Sequence, residues 1–200
     1  MSTINWPTSD VFRPAHFEIA LRSNVLISAS QFTGSIQTVE VPGARWVIAM
    51  QLDPAEWSDQ AVREGILSQI AGQANRVALW HFARPAPRGT MRGSPTLSAT
   101  AAAGATSLLI ATTAWATVEA GDMGKVGDQL VQVIEPATAD GAGAMTAKIR
   151  PALRAQVASG SAFIWDRPTG LFLLTQQEVR VPYQPSWGGE ISLEFVEVFA

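Results

Sequence analysis

The chain has 200 residues, a mass of 21.3 kDa, 14 basic and 17 acidic side chains, a net charge of −3 and no cysteine. The missing cysteine excludes disulfide scaffolds and thiolate metal sites, and the acidic balance leaves no broad positive footprint for a nucleic-acid binder. Only 16% of the residues are charged, against about 25% in an ordinary soluble domain.

In chain order, the first segment, MSTINWPTSDVF, has neither the basic start nor the apolar run of a signal peptide. Phe17, Ile19 and Leu21 alternate with Glu18 and Arg22, the period of a half-buried strand. Ser35 to Val41 is a second β-rich run, stopped by the turn signal Pro42-Gly43. In Arg45 to Leu52, the side chains of Trp46, Ile48, Met50 and Leu52 share one face. Asp53-Pro54, or Ser58, then offers a helix start, and Val62, Ile66, Leu67 and Ile70 form an apolar stripe at helical spacing. Gly65 within that stripe suggests close packing on a sheet. Arg76 to Phe82 reads as strand, after which Pro85, Pro87, Gly89 and Gly93 break the pattern.

From 94 to 118 no residue is charged, yet the stretch is mostly Ala, Thr, Ser and Gly, too weakly apolar to span a membrane. Short β runs at Ser107 to Ile110, Gln129 to Ile134, Ala144 to Ile149 and Ala162 to Trp165 are separated by Gly/Asp turns. Such spacing suggests a small barrel or open sandwich of about five strands. Larger β runs resume at Leu171 to Thr175, Glu178 to Tyr183 and Glu190 to Phe199. The organisation is therefore an outer β domain, 1–91 plus 168–200, carrying an inserted β module at 92–167. The outer part, of about 125 residues, is long enough for its own core.

No constellation for catalysis emerges. His16 and His81 stand apart, and neither has metal-ligand spacing. His81 sits in a strand-like run, where a satisfied sheet histidine is the default. Gly121-Asp122-Met123-Gly124-Lys125-Val126 lacks the spacing of a phosphate loop and reads as turns in the barrel. Glu190 and Glu194 share a strand face about 13 Å apart by rise alone, too far for glycoside hydrolysis. With Glu197 they read instead as a solvated or inter-subunit face. Arg84, Arg88 and Arg92 flank the Pro/Gly break and could clamp a ligand or pair with carboxylates nearby. Among the seven tryptophans, Trp46 and Trp80 fit core positions, whereas Trp115 and Trp165 could stack on sugar. The residues imply no enzyme, no cofactor and no metal.

The segments "VPGARWVIAMQL", "AVREGILSQIAGQANRVALWHFARPAPRGTMRG", "VEAGDMGKVGDQLVQVIEPATADGAGAMTAKIRPALR", "RPTGLFLL" and "ISLEFVEVF" follow one another in an order that resembles the distal tail proteins of long-tailed bacteriophages. The resemblance implies a mainly β fold: a tail-tube-like β-sandwich with one flanking α-helix, carrying an inserted small β-barrel of oligosaccharide-binding or SH3 type. It implies a virion protein, made in the host cytoplasm and placed at the distal end of the tail. There six copies would form a ring joining the tail tube protein to the tail-tip hub protein, without membrane insertion or sequence-specific nucleic acid. Arg84, Arg88, Arg92, Glu190, Glu194 and Glu197 are the candidate contacts with neighbours. The alternative is a carbohydrate-binding β module that attaches to host glycans through Trp115 and Trp165.

Overall fold

The structure, a computed structural model, describes residues 2–41, 43–185 and 187–199. The N-terminal half forms β1 (Thr3–Asn5), a 3-10 turn at Asp10–Phe12, β2 (His16–Arg22), β3 (Val25–Ala29), β4 (Ile36–Glu40), β5 (Arg45–Leu52), α1 (Trp57–Ile70) and β6 (Arg76–Leu79). β7 (Thr96–Leu97), β8 (Ser107–Ala111), β9 (Thr117–Val118), β10 (Met123–Val126), β11 (Gln129–Val133), β12 (Ala137–Thr138), β13 (Ala144–Arg150) and β14 (Phe163–Ile164) follow. The chain ends with β15 (Gly170–Leu174), β16 (Tyr183–Gln184), β17 (Trp187–Gly188) and β18 (Ile191–Glu197). It is mainly β, with α1 flanking one sheet.

Alternation builds the first sheet, whose order is β1-β6-β15-β18-β5-β2. Along β5 every second side chain, from Trp46 to Leu52, is buried, and β18 repeats the pattern with Ile191, Leu193 and Phe195. β2 pairs with β5 so that Phe17, Ile19 and Leu21 lie opposite Met50, Ile48 and Trp46, on the same face. Pairing is antiparallel throughout except between β1 and β6, which brings Trp6 into the core beside Phe12 and Phe195. Trp46 and Trp80 are buried, as the sequence suggests.

The second sheet, in the order β14-β10-β11-β13-β8-β7, is drawn entirely from residues between 96 and 164. Its two ends meet. Thr96 bridges Ala162, Leu97 N donates to Ser161 O at 2.9 Å, and Phe163 N donates to Pro95 O at 2.9 Å. The sheet thus nearly closes into a small six-stranded barrel filled by Leu97, Leu108, Ile110, Val131, Met145, Ile149 and Phe163. The stretch read as Gly-rich turns contains β10, where Gly124 lets the Phe163 ring lie directly on the backbone. A Cβ there would fall 2.2 Å from the ring.

The β10–β11 hairpin serves both halves of the molecule. Val126, Val131 and Val133 point into the barrel, while Met123 and Leu130 belong to the core of the first sheet. The outer core is therefore completed by side chains of the insert, whatever the length of the outer segments.

Three local expectations change. The helix starts at Trp57, with Glu56 at the N-cap position and no side-chain cap, rather than at Asp53-Pro54 or Ser58. Its inward face carries Gln60 and Arg63 with Ile66, Leu67 and Ile70, while Val62 is 54% exposed. Both polar side chains are buried because they satisfy main-chain carbonyls: Arg63 Nε donates to Val11 O at 2.9 Å, and Gln60 Nε2 to Gly189 O at 3.1 Å. Strand structure after β15 begins at Tyr183, and Val179 and Val181 pack on the core without pairing. Pro42, half of the expected turn after β4, lies outside the described residues.

Gly65 contacts no sheet, for nothing lies within 4 Å of where its Cβ would stand. Replacing it with alanine removes a backbone-entropy cost without a clash. Gly65→Ala should raise stability by about 0.5–1 kcal/mol, measured by urea denaturation.

Candidate functional site

β3 and β4 form a hairpin that joins neither large sheet. Their register runs from Val25 opposite Glu40 to Ala29 opposite Ile36, and every residue in both strands is exposed. Leu26 is 64% exposed, Ile27 70%, Ile36 68% and Phe32, at the tip, 100%. Successive strand residues point to opposite faces, so Leu26 and Ile27 place apolar surface on both sides. Val25 to Val39 contains no charged residue. The base is anchored: Val41 N donates to Asn24 O at 2.8 Å, and Glu40 pairs with Arg150 of the barrel at 3.0 Å. A two-stranded hairpin on its own is marginal in water, and its open edges are templates for another chain. β4 is legible in the sequence, whereas the apolar run of β3 has no alternation to mark it.

The arginines expected at a contact surface are occupied within the chain. Arg84 Nη1 donates to Gly121 O at 2.8 Å and also reaches the ring of His81. Arg88 donates from Nη2 to Ala120 O at 2.7 Å, while its backbone N–H binds the buried carboxylate of Asp122 at 2.8 Å. Arg92 bonds Gly89 O and Met91 O, and its guanidinium lies 5.1 Å from the Trp165 ring centre. Together they fasten the first crossover, 84–92, against the barrel. Backbone carbonyls rather than side-chain carboxylates are their main acceptors.

The three glutamates divide. Glu190 is exposed and has no partner among the described residues. Glu194, also exposed, accepts from Thr175 Oγ1 at 3.3 Å. Glu197 is 1% exposed and faces the interior, which corrects its grouping with a surface face. Its carboxylate accepts from Trp46 N at 3.0 Å and Arg154 Nη1 at 3.0 Å, and it also binds Arg154 Nη2. Arg154 continues to Ala44 O at 3.0 Å and lies over the Phe199 ring at 3.9 Å. The two candidate sugar-stacking residues occupy different settings. Trp115 is 71% exposed in a turn at φ 62, whereas Trp165 is half-buried and donates to Gly93 O at 2.9 Å.

His81 is buried at the end of the run that β6 begins, with Phe17 edge-on 5.1 Å from its ring. Arg84 brings donors to both ring nitrogens, Nη2 to Nε2 and its backbone N–H to Nδ1, each at 3.1 Å, a setting that disfavours a protonated ring. Burial, reinforced by the Arg84 charge, holds the His81 pKa down at about 4. Among the described residues, no group of three or more His, Cys, Asp or Glu side chains could hold a metal ion, and no helix is long and apolar enough to cross a membrane. Neither protein-family models nor curated proteins give a match to this chain.

Two measurements examine this interior. Glu197→Ala strands the Arg154 guanidinium and frees the Trp46 N–H, so unfolding in urea should show a loss of about 3 kcal/mol. His81 is neutral when folded and has an ordinary pKa of 6.5 when unfolded. Its contribution is therefore complete above pH 6.5 and disappears as the pH falls toward 4, over a span of about 3 kcal/mol. Stability curves for wild type and His81→Gln should diverge in slope across that window; parallel curves would refute the assignment.

Proposed function

We propose that the protein is a structural subunit of a long-tailed phage virion, a distal tail adaptor that forms a homo-oligomeric ring and joins the tail tube to the tail-tip hub. The β3–β4 hairpin carries this reading: a charge-free arm, apolar on both faces, held only at its base. A ring is a closed heterologous assembly in which an element of each subunit meets a different surface of the next. A protruding hairpin suits that geometry, since a neighbour can cover its faces and pair with its edges. Interface centres are depleted of charge, which matches the composition of Val25 to Val39.

Membrane insertion is the competing use of such an arm. Each strand has five residues, about half of what a membrane-spanning strand needs. The order of elements along the chain, which resembles that of distal tail proteins, adds the tail as the setting of the ring. The barrel is then an appended module, fastened by arginines and continuous with the outer core.

Native mass spectrometry and negative-stain images of the purified protein should show closed rings. An Ile27→Asp/Phe32→Asp double variant should remain monomeric, with thermal stability changed little because both side chains are exposed. Antibody against the protein should label the end of the tail in intact particles. A wild-type protein that stays monomeric at every concentration, or a double variant that assembles normally, would overturn the proposal.

A further inference from the structure

Of the seven tryptophans, Trp57, Trp115 and Trp187 belong to neither core, and the first and last of these stand together. Trp57 opens α1 and Trp187 opens β17. They are 54% and 51% exposed, and they line one open cleft of about 430 Å³ with Glu56 and Ser58. The walls are fixed. Trp57 Nε1 donates to Gln184 O at 3.1 Å, and Gln184 pairs with Trp187 across the β16–β17 hairpin. Tyr183 Oη ties that hairpin to α1 through Glu64 at 2.7 Å. Gly188 N donates to Ala55 O at 2.7 Å, and Gly188 lies so close to Gln60 that a Cβ would fall 2.4 Å from its side chain.

We infer that this cleft is a binding site for a neutral saccharide. Two half-exposed indoles, that of Trp57 held by its bond to Gln184 O, offer apolar faces to the C–H surfaces of a sugar ring. Hydroxyl groups then need both donors and acceptors. The Glu56 carboxylate has no partner among the described residues, and the Ser58 hydroxyl beside it can donate or accept. Among the described residues no lysine or arginine lines the cleft, so none of them neutralises a phosphate or an acidic sugar. The start of α1 has no side-chain cap, so its first N–H groups stand beside Glu56 as further donors. The cleft shares no residue with the β3–β4 arm and lies apart from Trp115 and Trp165, which are in the barrel segment.

A microarray of immobilised neutral, acidic and choline-bearing microbial glycans tests the site, using the full chain. Wild type should be retained on a set of neutral glycans, and Trp187→Ala and Glu56→Gln should each weaken that retention roughly tenfold. Trp115→Ala should bind as wild type does. In solution, the best-bound neutral glycan should shift the indole N–H resonances of Trp57 and Trp187 and leave that of buried Trp6 in place. Because Trp57→Ala also removes an anchor of the β16–β17 hairpin, Trp187→Ala and Glu56→Gln are the deciding variants. Absence of binding, retention only on acidic or choline-bearing glycans, or retention unchanged in both deciding variants would overturn the inference.

Discussion

Burying a carboxylate is costly unless its oxygens are filled by donors of good geometry, and Glu197 sits where three segments supply them. β18 carries it inward beside Phe172 and Phe195. The backbone pairing of β18 with β5 runs as far as Val196 opposite Val47. At the next position the Glu197 side chain accepts the Trp46 N–H, taking the place of a ladder bond. Arg154, from the barrel segment, supplies the charge and reaches on to Ala44 O. Trp46 in turn donates its indole N–H to Leu130 O at 3.1 Å, so the same residue touches the barrel twice removed. Take the insert away, and the first sheet holds an unpaired interior charge, an unpaired indole and a core without Met123 and Leu130.

That dependence accounts for a basic set made of 12 arginines and 2 lysines. Arg63, Arg84, Arg92 and Arg154 all reach main-chain carbonyls, and Arg84 and Arg154 do so across the junction between the sheet and the barrel. A guanidinium has five donors in a fixed plane and is weakly hydrated, so it can bridge several carbonyls in a half-buried seam where an ammonium would hold its water. Lys125 and Lys148 both lie on the barrel, and Lys148 makes an exposed pair with Glu135. The low overall charge has a separate origin in the Ala/Thr composition of the barrel and in the bare β3–β4 arm.

What the sequence reveals depends on whether burial is one-sided. β2, β5, β8, β13 and β18 each present one face to a core, and their period-two patterns are legible directly. β11 is buried on both sides, between the barrel and the first sheet, so Gln129-Leu130-Val131-Gln132-Val133 identifies a strand but not its two partners. β3 is exposed on both sides, which erases alternation in the opposite way. The helix misled at its polar positions. Gln60 and Arg63 are buried by hydrogen bonds to residues more than a hundred and about fifty positions away, respectively, and local periodicity cannot carry that information. Glu197 is the opposite case, because the odd step from Glu194 along a strand turns it to the buried face, and period two alone separates it from Glu190 and Glu194. The Trp57–Trp187 cleft joins the start of a helix to a two-residue strand far along the chain, so its members are visible in the sequence but their proximity is not.

The distribution of these interactions separates a rigid body from a projecting arm. The Glu197–Arg154 pair, the Trp46 indole bond to Leu130 O and the Arg84 bond to Gly121 O tie the barrel to the first sheet and its crossover. The hairpin has its own ladder, one ion pair at its base and apolar side chains in water. Exposed apolar surface of this kind is a liability for a solitary molecule, and removing it from water is what an assembly interface does. In the proposed ring, subunit stability and association are therefore carried by different residues. Changes along β3–β4 leave the junction at Glu197 intact, whereas changes at that junction disturb the platform from which the arm projects.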